Sequence, residues 1–154
     1  MKENTCCFTG HREIEAADAD TLPVRLRDTI CELIACGYTH FVAGGALGFD
    51  TLAAEAVLSL KTEYPSLRLI LMLPCQNQTA RWGAQDIRRY ETIRSAADEC
   101  IYISDHYFRG CMHRRNRAMV DASSVCISYL RKPSGGTAYT VDYARIHGVT
   151  VRAL

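Results

Sequence analysis

The sequence has no long uninterrupted hydrophobic run, no Cys-x-x-Cys pair, only four prolines and one tryptophan, and almost no net charge. Each shortage excludes something. Without a run of roughly 20 apolar residues, no segment reads as a membrane-spanning helix. Eight cysteines are present, but Cys6, Cys7, Cys31, Cys36, Cys75, Cys100, Cys111 and Cys126 show none of the paired spacings of a zinc site, so no metal is expected. Most of them sit in apolar patterns, where a thiol acts as a small buried hydrophobe. Cys111 stands apart, because Arg109, His113 and Arg114 surround it where a helix is expected to start, a setting in which reactive thiols occur, although an inert helix-start residue is the favoured reading. A formal charge of +1 argues against a dedicated duplex-DNA binder, whose affinity depends on many phosphate contacts. Repeats and low-complexity stretches are absent too.

What remains is an ordinary globular composition, with 48% hydrophobic and 23% charged residues over 154 positions, enough to bury a core without staples. Residues 1–154 read as one domain. The start, Met1 to Phe8, reads as entry into a strand rather than a signal peptide, so a cytoplasmic location is expected. Charge is uneven along the chain. Residues before Thr62 are acidic, whereas Arg109 to Arg117 contains no acid and suits an anion of phosphate size.

Short apolar runs alternate with stretches of helical period, a βαβ rhythm. Strands are expected at Thr5–Thr9, His40–Ala43, Leu67–Leu73, Glu99–Ser104, Ser124–Tyr129 and Val149–Arg152. The runs at Leu67–Leu73 and Val125–Tyr129 lack clean alternation, as for strands covered on both faces. Helices are expected from Leu22 to Gly37, from Asp50 to Leu60, through Ile87, Tyr90, Ile93 and Ala97, from Met112 to Ala122, and from Thr137 to His147. The pattern defines an α/β class, a single Rossmann-like domain with a parallel sheet of about six strands flanked by helices on both faces.

Ligands of such sheets bind beyond the carboxyl ends of the strands. Four segments there are informative. Thr9, Gly10, His11 and Arg12 follow the first strand and place a histidine and an arginine beside a turn. Gly44, Gly45 and Gly48 precede Asp50 in a turn that opens into a helix, where free amides favour phosphate, although the same residues also fit a simple capped turn. The basic cluster holds Arg115 and Asn116 on a helix whose Arg114 and Arg117 share another face. Ser134, Gly135, Gly136 and Thr137 form a second glycine-rich helix start.

Phe8–Arg12, Gly44–Asp50, Arg115–Asp121 and Gly135–Thr137, taken together, resemble the YpsA-like proteins of the SMF/DprA–LOG (SLOG) superfamily, over essentially the whole chain. The resemblance implies a Rossmann-like crevice that binds nucleotides or nucleotide-derived ligands. Met112–Arg117 with Pro133–Thr137 is similar to the signature of the LOG phosphoribohydrolases, which cleave the base from a nucleoside monophosphate with an arginine and a glutamate. Arg115 falls on that arginine, the catalytic residue if this is an enzyme, but the glutamate position is Thr140, whose hydroxyl cannot serve as a carboxylate. Asp50, Asp121 and Asp142 are the substitute carboxylates to consider. DprA, a single-stranded-DNA binder, has a glycine motif that resembles Gly45–Asp50 followed by Ala53, Ala54 and Ala56.

The leading expectation is a small nucleotide-type ligand and a sensing or regulatory role. Its phosphate would be held by the Gly44–Gly48 and Ser134–Thr137 turns and by Arg115, with Asp50 and Asn116 on ribose or base. Trp82 covers the crevice from the loop Cys75–Gly83, or simply packs there. A LOG-like N-glycosidic hydrolase is the alternative, and single-stranded nucleic-acid binding comes third. No cofactor is required beyond the nucleotide-derived ligand, no membrane is involved, and a homodimer stays open.

Overall fold

The computed structural model describes all 154 residues. Six strands, β1 (Thr5–Gly10), β2 (His40–Ala43), β3 (Arg68–Leu73), β4 (Glu99–Tyr102), β5 (Val125–Tyr129) and β6 (Thr150–Ala153), form one sheet in the order β4-β3-β2-β1-β5-β6. Every neighbouring pair is parallel. Five helices connect them, α1 (Leu22–Ala35), α2 (Phe49–Leu60), α3 (Ala84–Ala96), α4 (Cys111–Asp121) and α5 (Gly136–Ile146). The architecture is the expected α/β Rossmann-like one, with element ends displaced by up to three residues.

Helices α1, α2 and α3 pack side by side on one face, while α4 and α5 pair on the other. The first face holds the main core. Leu22, Leu26, Ile30 and Leu33 form the buried stripe of α1, and meet Cys6, Phe8, Phe41, Leu69 and Leu71 from the strands. Phe8 stacks near Phe41 at 6.1 Å, and Phe49 near Tyr129 at 5.9 Å. The second face is smaller, built on Cys7, Val42, Met119, Val120, Cys126, Ala144 and Val149. It covers the sheet unequally. All five residues of β5 are buried, but β3 alternates buried with partly or fully exposed positions, contrary to a strand covered equally on both faces. Ile70 and Met72 lie only partly beneath α4, which crosses back from the β4 edge toward β5.

Chain punctuation accounts for the ends. Pro74 has no amide to extend the β3 ladder, so pairing with β4 stops at Tyr102 and one last bond runs from the Ile103 amide to the Leu73 carbonyl at 2.9 Å. Pro23 lies in the first turn of α1, where its missing N–H costs nothing. No helix is long and apolar enough to cross a membrane.

Because the connection from β1 runs to β2 on one side while β5 lies on its other side, the carboxyl ends of β1 and β5 meet at the point where the winding reverses. Loops leave there toward opposite faces and a crevice opens between them. Removing Phe41, which is fully buried, should destabilise the fold by about 3–5 kcal/mol as Phe41→Ala. Tyr102→Ala at the partly exposed edge of β4 should cost under about 1 kcal/mol, both read by urea unfolding.

Candidate functional site

At that switch point lies a polar cavity of about 270 Å3. Thr9, Gly10, His11 and Arg12 line it from the end of β1, Asp50 from α2, Arg115 and Asn116 from α4, and Gly136 and Thr137 from α5. Nine of the residues singled out in the sequence therefore surround one space. Gly44, Gly45, Gly48, Ser134 and Gly135 do not line it, and the reasons differ.

The first glycine turn is filled by the protein itself. A Cβ on Gly44 would lie 2.7 Å from Arg115 Nη1 and 2.8 Å from Asp50 Oδ2, so this glycine makes room for two charged side chains that flank it at the end of β2. Gly48 has φ +78, and its Cβ would lie 2.0 Å from the Arg12 carbonyl oxygen. A Cβ on Gly45 would meet the Leu73 side chain and one on Gly10 would meet Phe49, each at 2.4 Å. Two amides of this stretch are engaged as well. Phe49 N–H donates to the His11 carbonyl at 3.1 Å, and Ala46 N–H donates to Asp50 Oδ2 at 3.2 Å. Asp50 is not the cap of α2, since that position is Gly48; its carboxylate folds back onto the loop instead.

The second glycine turn is open. Cβ atoms added at Gly135 and Gly136 would meet nothing within 4 Å, and Gly135 turns the chain into α5 at φ +104. Thr137 is buried in the first turn of the helix, and no side chain caps that end. Unfilled space over a helix start, where the axial dipole is positive, is the arrangement that receives an anion.

Arg115 is only 4% exposed. Its Nη1 donates to the Gly44 carbonyl and, at 3.5 Å, to the Met72 carbonyl, and its Nε donates to Asn116 Oδ1 at 2.8 Å. The guanidinium therefore clasps the ends of β2 and β3 and orients Asn116, whose amide NH2 remains for the cavity. Burial lowers its pKa and Asp50 opposes that shift; burial raises the Asp50 carboxyl, with Arg115 as the main opposing influence. Each charge makes the other tolerable in the interior. Arg12 differs, being exposed and outside every ion pair of the protein.

His11 ties the two loops together. Its Nε2 accepts the Arg131 amide at 2.8 Å, which requires the neutral ring with its proton on Nδ1. Burial, then Lys132, lowers its pKa. The Arg131 side chain itself turns away, to Asp18 at 3.0 Å and to the Leu154 carbonyl at 2.8 Å, over the face of Tyr129. Sequence reasoning missed this second arginine clasp; no local motif marks Asp18, which lies 113 residues away. Cys111 is fully buried at the start of α4. Thr140, at the position of the LOG glutamate, is 2% exposed and donates to the Gly136 carbonyl at 2.8 Å inside α5. Asp121 accepts from Tyr143 on the far surface and Asp142 is exposed, so among the substitute carboxylates only Asp50 faces the cavity.

A six-stranded parallel sheet with a polar crevice at the strand switch defines a Rossmann-like α/β protein. Residues 6–148 match the YspA SLOG family (YpsA), and the chain belongs to that family. Among relatives, it is 27% identical over 118 residues to the uncharacterized SPbeta prophage-derived protein YoqJ of Bacillus subtilis, covering 69% of each chain. It is 30% identical over 129 residues to a UPF0398 protein of Shouchella clausii, covering 81% of this chain and 66% of that one. A UPF0398 protein of Halalkalibacterium halodurans is 29% identical, and the match spans 63% of its length. The fold is shared with DNA processing protein A of Helicobacter pylori, described for its single-stranded DNA binding mode, at a TM-score of 0.69 and 18% identity over 99% of this chain and 65% of that one. DprA of Streptococcus pneumoniae gives a TM-score of 0.71 at 18% identity, with this chain spanning 50% of its length.

Arg115→Leu should destabilise the protein by about 3–5 kcal/mol, because it strands the Asp50 charge in the interior. Adding Asp50→Asn to that variant should recover about 1 kcal/mol or more in urea unfolding. A lowered His11 pKa means the unfolded chain takes up the proton more readily, so stability present above the ordinary value of 6.5 is lost as pH falls through the folded value. His11→Gln keeps an acceptor for Arg131 and does not titrate, so its unfolding free energy should fall less between about pH 7.5 and 5.5 than that of the natural sequence.

Proposed function

We propose that the crevice binds the phosphate of a small nucleotide-derived ligand, and that the protein acts as a sensing or regulatory binding module. The observation that carries this reading is the open start of α5, where Gly136 and Thr137 border the same small cavity as Arg12, His11 and Asn116. The phosphate sits over the Gly135–Thr137 amides, and Arg12 is the cation free to grip it. Arg115 serves from behind, fixing Asn116 and offsetting the Asp50 charge that borders the cavity. The filled Gly44–Gly48 turn shapes the wall and does not hold the anion.

A second reading, release of the base from a nucleoside monophosphate, has one observation in its favour: the buried Asp50 carboxyl borders the cavity with its pKa raised. Thr140 counts against it, since its hydroxyl is spent on the helix. Single-stranded DNA binding, stated of the Helicobacter DprA, finds less support in a chain of net charge +1.

Adding ribose 5-phosphate or AMP should raise the melting temperature, and ligand at about a hundred times its dissociation constant adds roughly 2.7 kcal/mol. Gly136→Asp puts a carboxylate into open space at the helix start, so it should fold normally yet bind these phosphates about ten-fold or more weakly. A Gly136→Asp protein that is stabilised as strongly as the natural sequence sinks the reading. Free base accumulating from AMP would favour the hydrolase instead.

A further inference from the structure

The largest cavity of the protein is not the crevice but the space beside it. It measures about 770 Å3 and lies between the loop that follows β3 and the segment that follows β4. That volume falls within the usual range for small-molecule sites. It shares Arg12 and Met112 with the phosphate cavity, so the two spaces adjoin along one wall.

Its lining differs in kind from that of the crevice. Trp82 and Tyr107 bring aromatic rings, Asn77 and Gln78 bring amides, and Asp86 brings a carboxylate. The indole is partly buried and set by a perpendicular contact with Tyr90 at 5.4 Å, while the Trp82 amide donates to the Thr79 carbonyl at 3.0 Å. Gln78 Nε2 donates to the Gly45 carbonyl at 3.2 Å, which fixes the amide, and its buried Oε1 has no partner in the protein. Tyr107, 63% exposed, borders the cavity from the opposite segment and leaves much of its ring available for contact. Aromatic planes with amides and a carboxylate near their edges suit a planar heterocycle that carries both donors and acceptors.

We infer that this cavity is a base subsite, and that the ligand is a nucleoside phosphate whose base lies between Trp82 and Tyr107 while its phosphate occupies the crevice. The inference rests on the phosphate reading above and adds what the phosphate is attached to. Arg12 stands at the junction, where the sugar passes from one cavity to the other.

Trp82 is the single tryptophan of the chain and lines this cavity, so its fluorescence senses a ring bound there. The probes are the four common ribonucleoside 5′-monophosphates, their nucleosides, and ribose 5-phosphate, followed by fluorescence and calorimetry. At least one monophosphate should quench Trp82 and bind about ten-fold or more tightly than ribose 5-phosphate. Trp82→Ala should abolish that advantage and leave ribose 5-phosphate binding unchanged, and Trp82→Phe should keep most of it. Tyr107→Ala, at an exposed side chain that the fold does not need, should weaken the monophosphate selectively. Equal binding of ribose 5-phosphate and all four monophosphates, with no quenching, overturns the base subsite and leaves the phosphate reading standing. A nucleoside that quenches Trp82 and binds as tightly as its monophosphate supports the base subsite and overturns the phosphate reading. Failure of every probe overturns both.

Discussion

The buried pair of opposite charges at Arg115 and Asp50 is the constraint on which the site's form depends. Placing a guanidinium 4% exposed at the ends of two strands is tolerable only because carbonyls of Gly44 and Met72, the Asn116 side chain and the Asp50 carboxylate all answer it. The pair in turn dictates a glycine at 44, since any side chain there collides with both charges. It also holds α4 against β2 and β3, which fixes where Asn116 and Met112 stand. The arginine that the motif resemblance assigns to a ligand thus becomes a piece of scaffold, and the exposed Arg12 is the cation that the proposed phosphate reading calls on.

The two glycine turns show how similar residue patterns come to do different work. Both lead from a strand into a helix through consecutive glycines. One is packed against Arg12, Leu73 and the Arg115–Asp50 pair; the other faces open space. Spacing alone cannot separate them, because the difference lies in what the rest of the chain brings near. Residues 12, 73 and 115 are remote in sequence from Gly44–Gly48, and their approach is a property of the sheet order.

Much of the fold was legible because strand and helix periods are strong in a doubly wound sheet: all six strands and five helices fall where the apolar patterns place them. Boundaries moved where a single backbone group decides, as at Pro74, which ends the β3 ladder. The unequal covering of β3 was not legible, since Leu67–Leu73 is apolar throughout whichever face is roofed. At the site, residue types and the shared edge were readable from motifs, and nine named residues do border one cavity. Hidden were the long-range clasps, Arg131 to Asp18 and His11 to the Arg131 amide, which need three dimensions to find. The size of the neighbouring cavity, set by the loops that follow β3 and β4, was hidden for the same reason.

The strands at the two margins of the sheet, β4 and β6, are only four residues long. Each therefore offers few unpaired backbone groups to a strand from another molecule, and a short margin is a poor template for ribbon-like stacking. An otherwise apolar, fully parallel sheet is in this way shielded from growing sideways. Contact with other molecules is steered to the helical flanks and to the loop end, where the polar groups lie.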